Sequence, residues 1–190
     1  FIDIGLERAA FLHVADIWEV RQAQHGDGAA PPRPIEHILH EGQTVLVQVV
    51  KDPIGTKGAR LSTQVSLAGR LLVYLPQDSH IGISQRIEDE AERESLRGKL
   101  QLLLPDGHTG GFIIRTMAET ASEREMQSDI EYLTKLWNDR NGRARDVPAP
   151  ALLYQDLNLA QRVLRDMANE ETSRIVVDSR ETFTRMLEFA

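Results

Sequence analysis

The sequence contains no cysteine among its 190 residues. This absence excludes a disulfide framework, a zinc site built on thiolates and a cysteine nucleophile within these residues. It is compatible with a reducing compartment but does not establish one.

Long apolar runs are absent as well, since no stretch approaches the ~20 apolar residues that a membrane-spanning helix needs. No secretory signal is visible either. The chain begins at Phe1, without a methionine and already within a strand-like pattern. We therefore expect a fragment that starts partway through its first domain, so the missing signal excludes little.

The chain also lacks an excess of positive charge. Its 22 Lys and Arg residues face 29 Asp and Glu residues, which gives a formal net charge of -7. This balance argues against a surface that binds nucleic acid everywhere. A nucleic-acid site would need a local basic patch, because binding requires neutralisation of phosphates. The length allows one or two domains, and a hydrophobic fraction of 41% is ordinary for a globular protein.

Two short strands around a tight turn at Gly5 are predicted for residues 1–17. Side-chain alternation can point Phe1 and Phe11 outward from these strands. A small β-barrel of the OB type uses outward aromatic rings as a stacking platform for single-stranded nucleic acid. The alternative is that both rings are core residues, the usual place of Phe in a small barrel.

A hairpin is predicted further along the chain. Residues 43–50 are a β-branched run, residues 52–58 have turn composition, and residues 59–66 alternate as a strand. Lys57 therefore lies at the hairpin tip. By itself, a lysine in this position is most simply a solvated loop residue.

A surface loop is predicted between these two β segments, over residues 18–34. Its longer part, from Gln22 to Pro34, is rich in Gly, Ala and Pro. A short helical turn is expected to follow at residues 35–39.

Residues 67–145 are predicted to contain two strands, at 71–75 and 110–116, and two helices, at 88–104 and 120–139. Ser122 and Glu125 have the spacing of a capping box at the start of the second helix. The apolar face of that helix would contain Met126, Ile130, Leu133 and Trp137.

The remainder of the chain shows a βαβα pattern after an expected linker at residues 141–150. Strands are predicted at 152–154 and 174–178, and helices at 157–169 and 181–189. Such a pattern implies neighbouring parallel strands joined by a right-handed crossover. Two strands form an incomplete sheet, so we expect further strands from sequence outside this chain.

The pair Arg115-Thr116 has the chemistry of a phosphate site. A terminal phosphate monoester carries nearly two negative charges and several acceptor oxygens. The planar guanidinium of Arg115 can donate to two of those oxygens at once, and Thr116 adds a hydroxyl donor. Adjacent strand residues face opposite ways, so both can converge only at a strand end. Without further context, Arg115 is most simply an ordinary surface arginine at a strand end.

Several motifs together resemble the bacterial ribonuclease E/G family. Residues 1–17 resemble the RNA-binding domain named after the largest protein of the small ribosomal subunit. The segments 51–63 (KDPIGTKGARLST), 66–73 (SLAGRLLV), 82–87 (GISQRI) and 111–116 (GFIIRT) follow one another in the family's order. The family is named after two enzymes. The sequence of residues 51–58, and that of the last residues of the chain, resemble one of the two.

This resemblance implies a multidomain chain of mixed α and β structure. Residues 1–66 would be most of an OB-fold RNA-binding domain, residues 67–145 a sensor domain for a 5′-monophosphate, and residues 146–190 part of an RNase H-like domain. Phe1, Phe11 and Lys57 would bind RNA. Gly69, Val73, Arg115 and Thr116 would bind the 5′-phosphate, with Gly69 allowing close approach and Val73 packing against the terminal nucleotide.

The resemblance also implies that the parent protein is a cytoplasmic, single-strand-specific endoribonuclease that assembles into a homo-oligomer. Its magnesium ligands, and the cysteines that share a zinc between subunits, would lie in a catalytic domain outside this chain. No catalytic or metal-binding residue is assigned here. The alternative is a non-catalytic RNA-binding module of a translation or RNA-maturation factor.

Overall fold

The computed structural model of the chain describes residues 1–25, 34–169 and 171–189. By internal contacts it divides into two units, Phe1–Leu153 and Tyr154–Ala190. None of the helices in the described part of the chain combines the length and apolar character needed to span a bilayer.

The first sheet has three strands: β1 (Phe11–Leu12), β2 (Gln48–Lys51) and β3 (Arg60–Ser62). β3 lies in the middle, parallel to β1 and antiparallel to β2. An antiparallel bridge between Ile2 and Ala10 joins the start of the chain to β1. The predicted hairpin is therefore present with shorter strands. These strands do not form a closed barrel within the described ranges, so the OB-fold assignment stays a prediction.

A small core lies against this sheet. Its buried members are apolar and come from the first 20 residues and from the segment around the start of β3. They are Ala10, Leu12, Ile17, Val20, Ala59 and Leu61. Burying a side chain as large as Leu61 contributes roughly 1.5–3 kcal/mol. The core therefore fixes the position of β1 relative to the hairpin.

The loop predicted for residues 18–34 is wrong in its first part, because Trp18–His25 form helix α1. The Trp18 N–H donates to the Thr63 hydroxyl over 2.8 Å, which satisfies a donor at the helix start. Val20 is buried in the core, and this burial stabilises the helix. The Gly- and Pro-rich stretch at residues 26–33 lies outside the described residues. The expected helical turn near residue 35 is a 3₁₀ helix at Ile35–His37.

The second sheet has four strands: β4 (Leu67–Ala68), β5 (Leu72–Leu75), β6 (Ile81–Ile83) and β7 (Gly111–Ile114). Their order is β4-β5-β7-β6, with β6 parallel to β7 and the other pairs antiparallel. Alternation gives the sheet one fully buried face, formed by Leu72, Tyr74, Phe112 and Ile114.

Two helices pack with this sheet: α2 (Glu90–Leu103) and α3 (Glu123–Asp146). α2 buries Leu96 and Leu100, and α3 buries Met126, Ile130 and Leu133, as predicted, while Trp137 is half-buried. The capping box of Ser122 and Glu125 is present. The linker predicted at residues 141–150 is wrong over its first part because α3 continues through Asp146. Nothing in that stretch breaks a helix before Pro148.

The second unit contains the helices α4 (Leu159–Met167) and α5 (Arg180–Phe189). The strands predicted at 152–154 and 174–178 are not formed. A strand needs a hydrogen-bonded neighbour, and neither segment pairs with another strand among the described residues. The β-branched residues Ile175 and Val176 are accordingly exposed. The RNase H-like assignment therefore also stays a prediction.

Candidate nucleic-acid interface

Phe1 and Phe11 form an exposed aromatic pair at the first turn of the chain. Their ring centroids are 5.7 Å apart and the rings are tilted by 52°. Phe1 is 92% exposed and Phe11 is 41% exposed, whereas Leu12, the next residue of β1, is buried. The chain can reverse tightly here because Gly5 has a φ of +77°, a conformation that favours glycine. The sequence-predicted pair is thus brought together on the outer surface.

Lys57 lies on the neighbouring hairpin. It is exposed, and it exchanges backbone hydrogen bonds of 3.0 and 3.2 Å with Ile54 across the hairpin tip. Two residues later, the Ala59 carbonyl accepts a 2.7 Å hydrogen bond from the Phe11 N–H. The strand that carries Phe11 is therefore tied directly to the hairpin that carries Lys57.

Two residues that were not predicted to bind RNA also lie in this region. The Arg8 guanidinium donates to the Gly55 carbonyl, which places a second cation at the same hairpin. The imidazole of His13 lies 6.1 Å from the Phe11 ring in an edge-to-face arrangement. Arg8 gave no signal in the sequence, because a lone arginine in a turn is usually solvated. His13, by contrast, follows Phe11 by two positions, which is the spacing of one strand face.

The residues predicted to bind a 5′-phosphate lie at one end of the central strands of the four-stranded sheet. They are Gly69, Val73, Arg115 and Thr116. The Arg115 N–H donates to the Leu71 carbonyl over 2.9 Å, which continues the β5–β7 ladder by one residue. Val73 is the register partner of Ile113. Because Arg115 and Ile113 are two positions apart, Arg115 projects on the same face of the sheet as Val73. That face is open, since Val73, Ile113 and Arg115 are only half-buried.

The Arg115 side chain reaches the turn between β4 and β5. Its Nη1 donates to the Gly69 carbonyl and, over 3.2 Å, to the Arg70 carbonyl. Among the described residues, Nε and Nη2 make no hydrogen bond. These two groups form one side of the guanidinium fork and remain able to donate to a ligand.

Thr116 begins a 3₁₀ turn, Thr116–Ala118, for which Arg115 is the N-cap. The strand therefore ends just before Arg115, and the chain turns at Thr116, which is the break that convergence of the two side chains requires. Thr116 is half-buried at this position.

Gly69 is required here by a close contact with a carboxylate. A Cβ atom at this position would lie 2.5 Å from both carboxylate oxygens of Asp129, far inside van der Waals contact. The sequence analysis gave a different reason for this glycine, namely the approach of a phosphate. The contact with Asp129 is sufficient to explain it.

Asp129 is the residue of this site that the sequence analysis missed. Its carboxylate accepts hydrogen bonds from three consecutive backbone N–H groups, those of Arg70 (3.2 Å), Leu71 (2.9 Å) and Leu72 (2.8 Å). A signal existed in the sequence, because Asp129 lies between Met126 and Leu133 on the apolar face of α3. A carboxylate in such a position needs a partner.

The start of α3 adds charge near the same turn. The Glu125 carboxylate accepts from the Ser122 N–H (2.9 Å) and hydroxyl (2.8 Å), and lies 3.5 Å from Nη1 of Arg70. The backbone and hydroxyl hydrogen bonds from Ser122, followed by the charge of Arg70, hold the pKa of Glu125 below its ordinary value of 4.5. The carboxylate is therefore ionised at neutral pH.

Comparison with known proteins places the chain in a family. The pattern of the Ribonuclease E/G family matches residues 66–190. Ribonuclease G of Escherichia coli (strain K12) is 47% identical over 191 residues, an alignment that covers all of this chain and 39% of the relative. This chain belongs to the Ribonuclease E/G family.

Other family members are also similar over the whole of this chain. Ribonuclease G of Haemophilus influenzae is 42% identical over all of this chain and 38% of its own length. Ribonuclease E of a Nostoc species is 40% identical over all of this chain and 26% of its own length. The family resemblance read from the sequence motifs is confirmed, including the match to ribonuclease G. The chain spans well under half of these relatives.

The metal ions that the resemblance implies do not fit the residues described. Across the described ranges, no group of three or more His, Asp or Glu side chains is placed to hold a metal ion. The chain contains no cysteine for a thiolate zinc site. No chemical step through a metal is therefore assigned to these residues.

Proposed function

We propose that the parent protein of this chain is a hydrolytic endoribonuclease that cleaves single-stranded RNA at A/U-rich sites and responds to a 5′-monophosphate. This chain supplies substrate binding and recognition of the 5′ end. The bond-breaking groups, with the magnesium and the shared zinc implied for the family, belong to other parts of the protein. From the family resemblance we also propose that the parent protein is a cytoplasmic homo-oligomer.

The observation that carries the proposal is the junction of Gly69, Val73 and Arg115 at the β4–β5 turn. One nitrogen of the guanidinium is anchored by two carbonyls of this turn. The guanidinium therefore has a fixed orientation, and its free edge can donate to two oxygens of a phosphate. A phosphate monoester is favoured over a hydroxyl because it offers both the charge and the acceptors.

The aromatic pair supports the RNA-binding part of the proposal. Phe1 and Phe11 present exposed rings, and Arg8 and Lys57 supply positive charge on the adjoining hairpin. Aromatic stacking combined with cations along the backbone is how single strands are bound without sequence preference. An OB fold for residues 1–66 and a sensor domain for residues 67–145 accommodate both sites. Residues 146–190 are assigned to an RNase H-like domain.

The alternative of a non-catalytic RNA-binding module is not favoured, because the relatives named above are ribonucleases. The full-length protein should cleave an internally labelled single-stranded RNA, including a circular version without ends. It should leave the duplex of the same sequence intact. Binding of the single strand without cleavage, in the presence of magnesium, would instead identify a binding module.

A further inference from the structure

Asp129 contacts the turn that carries Gly69 and that anchors the Arg115 side chain, although it comes from another element. The turn is Gly69–Leu72, and Asp129 lies on α3, 58 positions from Leu71. Its three hydrogen bonds go to successive N–H groups of the turn backbone. The turn also closes on itself through a 2.8 Å hydrogen bond from the Gly69 N–H to the Leu72 carbonyl.

The opposite side of the same peptide segment binds the Arg115 side chain through backbone carbonyls. The carbonyls of Gly69 and Arg70 point to the guanidinium, while the N–H groups of Arg70, Leu71 and Leu72 point to Asp129. Each carbonyl direction is fixed by the peptide plane, which also fixes the N–H of the next residue. The carboxylate thus determines where the carbonyls point and, through them, how the guanidinium is oriented.

The charge of Asp129 requires an explanation in a site proposed for an anion. Successive N–H groups in a turn form a concave anion-binding surface. In this protein that surface is occupied by the chain's own carboxylate, so the turn cannot use these N–H groups for a phosphate. The phosphate is left to Arg115 and Thr116.

We infer that Asp129 is a positioning residue of the 5′-phosphate site, acting through the Gly69–Leu72 turn on the orientation of Arg115. This inference rests on the function proposed above. It predicts that Asp129 sets the preference for a monophosphorylated 5′ end without contacting RNA.

The test compares cleavage by the full-length protein of one oligonucleotide with either a 5′-monophosphate or a 5′-hydroxyl. Asp129→Asn keeps the side-chain size but replaces one acceptor oxygen with an NH₂ group that faces backbone donors. We expect it to lower the monophosphate-to-hydroxyl rate ratio roughly three- to tenfold, the effect of losing one ordinary hydrogen bond. The rate on the hydroxyl substrate should stay unchanged. Asp139→Asn, the same change at an exposed position of α3, is the matched control.

A double-mutant cycle tests the route through the turn. Gly69→Ala should lower the ratio, because its Cβ would meet the Asp129 carboxylate. In an Asp129→Ala background that obstacle is gone, so Gly69→Ala should cause little further loss. Additive losses would contradict this route. If Asp129→Ala does not fold, Asp129→Asn decides the question alone.

Three results would overturn the inference: an unchanged ratio in Asp129→Asn, an equal loss on both substrates, or a higher ratio. Arg115→Lys measured in parallel separates two kinds of failure. A lower ratio in Arg115→Lys with an unchanged ratio in Asp129→Asn refutes the positioning role alone. An unchanged ratio in both variants refutes the 5′-sensing proposal, and the inference falls with it.

Discussion

Phe1 and Phe11 are exposed although large aromatic side chains gain more from burial than most residues. Their mutual contact leaves most of the Phe1 surface in water, whereas the neighbouring positions Ala10 and Leu12 are buried in the core. The alternation of the strand is thus strict, and the rings stand on its outer face. A stacked base would cover the surface that remains in contact with water.

Phe11→Ala should weaken binding of single-stranded RNA by about 1–3 kcal/mol, the usual worth of one base–aromatic stack. Thermal unfolding should change little, because the ring is 41% exposed. The measurement is a titration of fluorescent RNA with this chain at a fixed salt concentration. Phe183→Ala removes a similarly exposed ring in the second unit and should leave the affinity unchanged.

Unchanged affinity in a folded Phe11→Ala variant would contradict the assignment of the platform. Loss of the fold would instead support a core role for Phe11. Affinity should also fall with salt, because Arg8 and Lys57 would displace counterions from the RNA.

At the scale of elements, α3 combines a stabilised helix start with a carboxylate, that of Asp129, which binds the Gly69–Leu72 turn. Its capping box satisfies two donors at the helix start, and Asp129 lies one helical turn further along α3. A substitution that disturbs the first turn of α3 should therefore also disturb the hydrogen bonds between Asp129 and the Gly69–Leu72 turn.

The capping box gives a pH dependence with a definite sign. The pKa of Glu125 is lowered in the folded chain, so its contribution to stability is present above 4.5 and is lost as pH falls through the folded pKa. Glu125→Gln should therefore unfold at a lower temperature than the wild type at neutral pH. The difference should shrink as the pH falls below 4.5.

The measurement is the unfolding midpoint of both proteins as a function of pH. Glu123→Gln, in the same helical turn but outside the capping box, is the matched control. A constant difference between wild type and Glu125→Gln down to acid pH would contradict the account.

Ser122→Ala should lower the free energy of unfolding by about 1 kcal/mol, as is usual for removal of an N-cap side chain.

Elements with strong local signals were predictable from the sequence. The capping box, the apolar face of α3 and the hairpin turn near Lys57 all follow from spacings of a few residues, and the structure has them. The strands at 152–154 and 174–178 were predicted wrongly. Their apolar composition suits a strand, but a strand forms only when a neighbour accepts its hydrogen bonds, and local sequence does not supply that neighbour.

At the scale of the whole molecule, the sequence motifs identified the family but not the contacts that build the site. Arg115 and Gly69 were named from the resemblance, whereas the hydrogen bonds between them depend on the pairing of β5 with β7. Asp129 was missed for the same reason, because its partners lie far away in sequence. The OB-fold assignment and the domain boundaries at residues 66 and 145 remain predictions.

The central claim is that Arg115 recognises a 5′-monophosphate through its guanidinium fork. The most direct test is the rate ratio for 5′-monophosphate and 5′-hydroxyl versions of one oligonucleotide, cleaved by full-length wild type and Arg115→Lys. Lys keeps the charge but loses the bidentate geometry, so the ratio should fall while the hydroxyl substrate is cleaved normally. Arg124→Lys, an exposed arginine of α3, is the control. An unchanged ratio in Arg115→Lys, or an equal loss on both substrates, would contradict the claim.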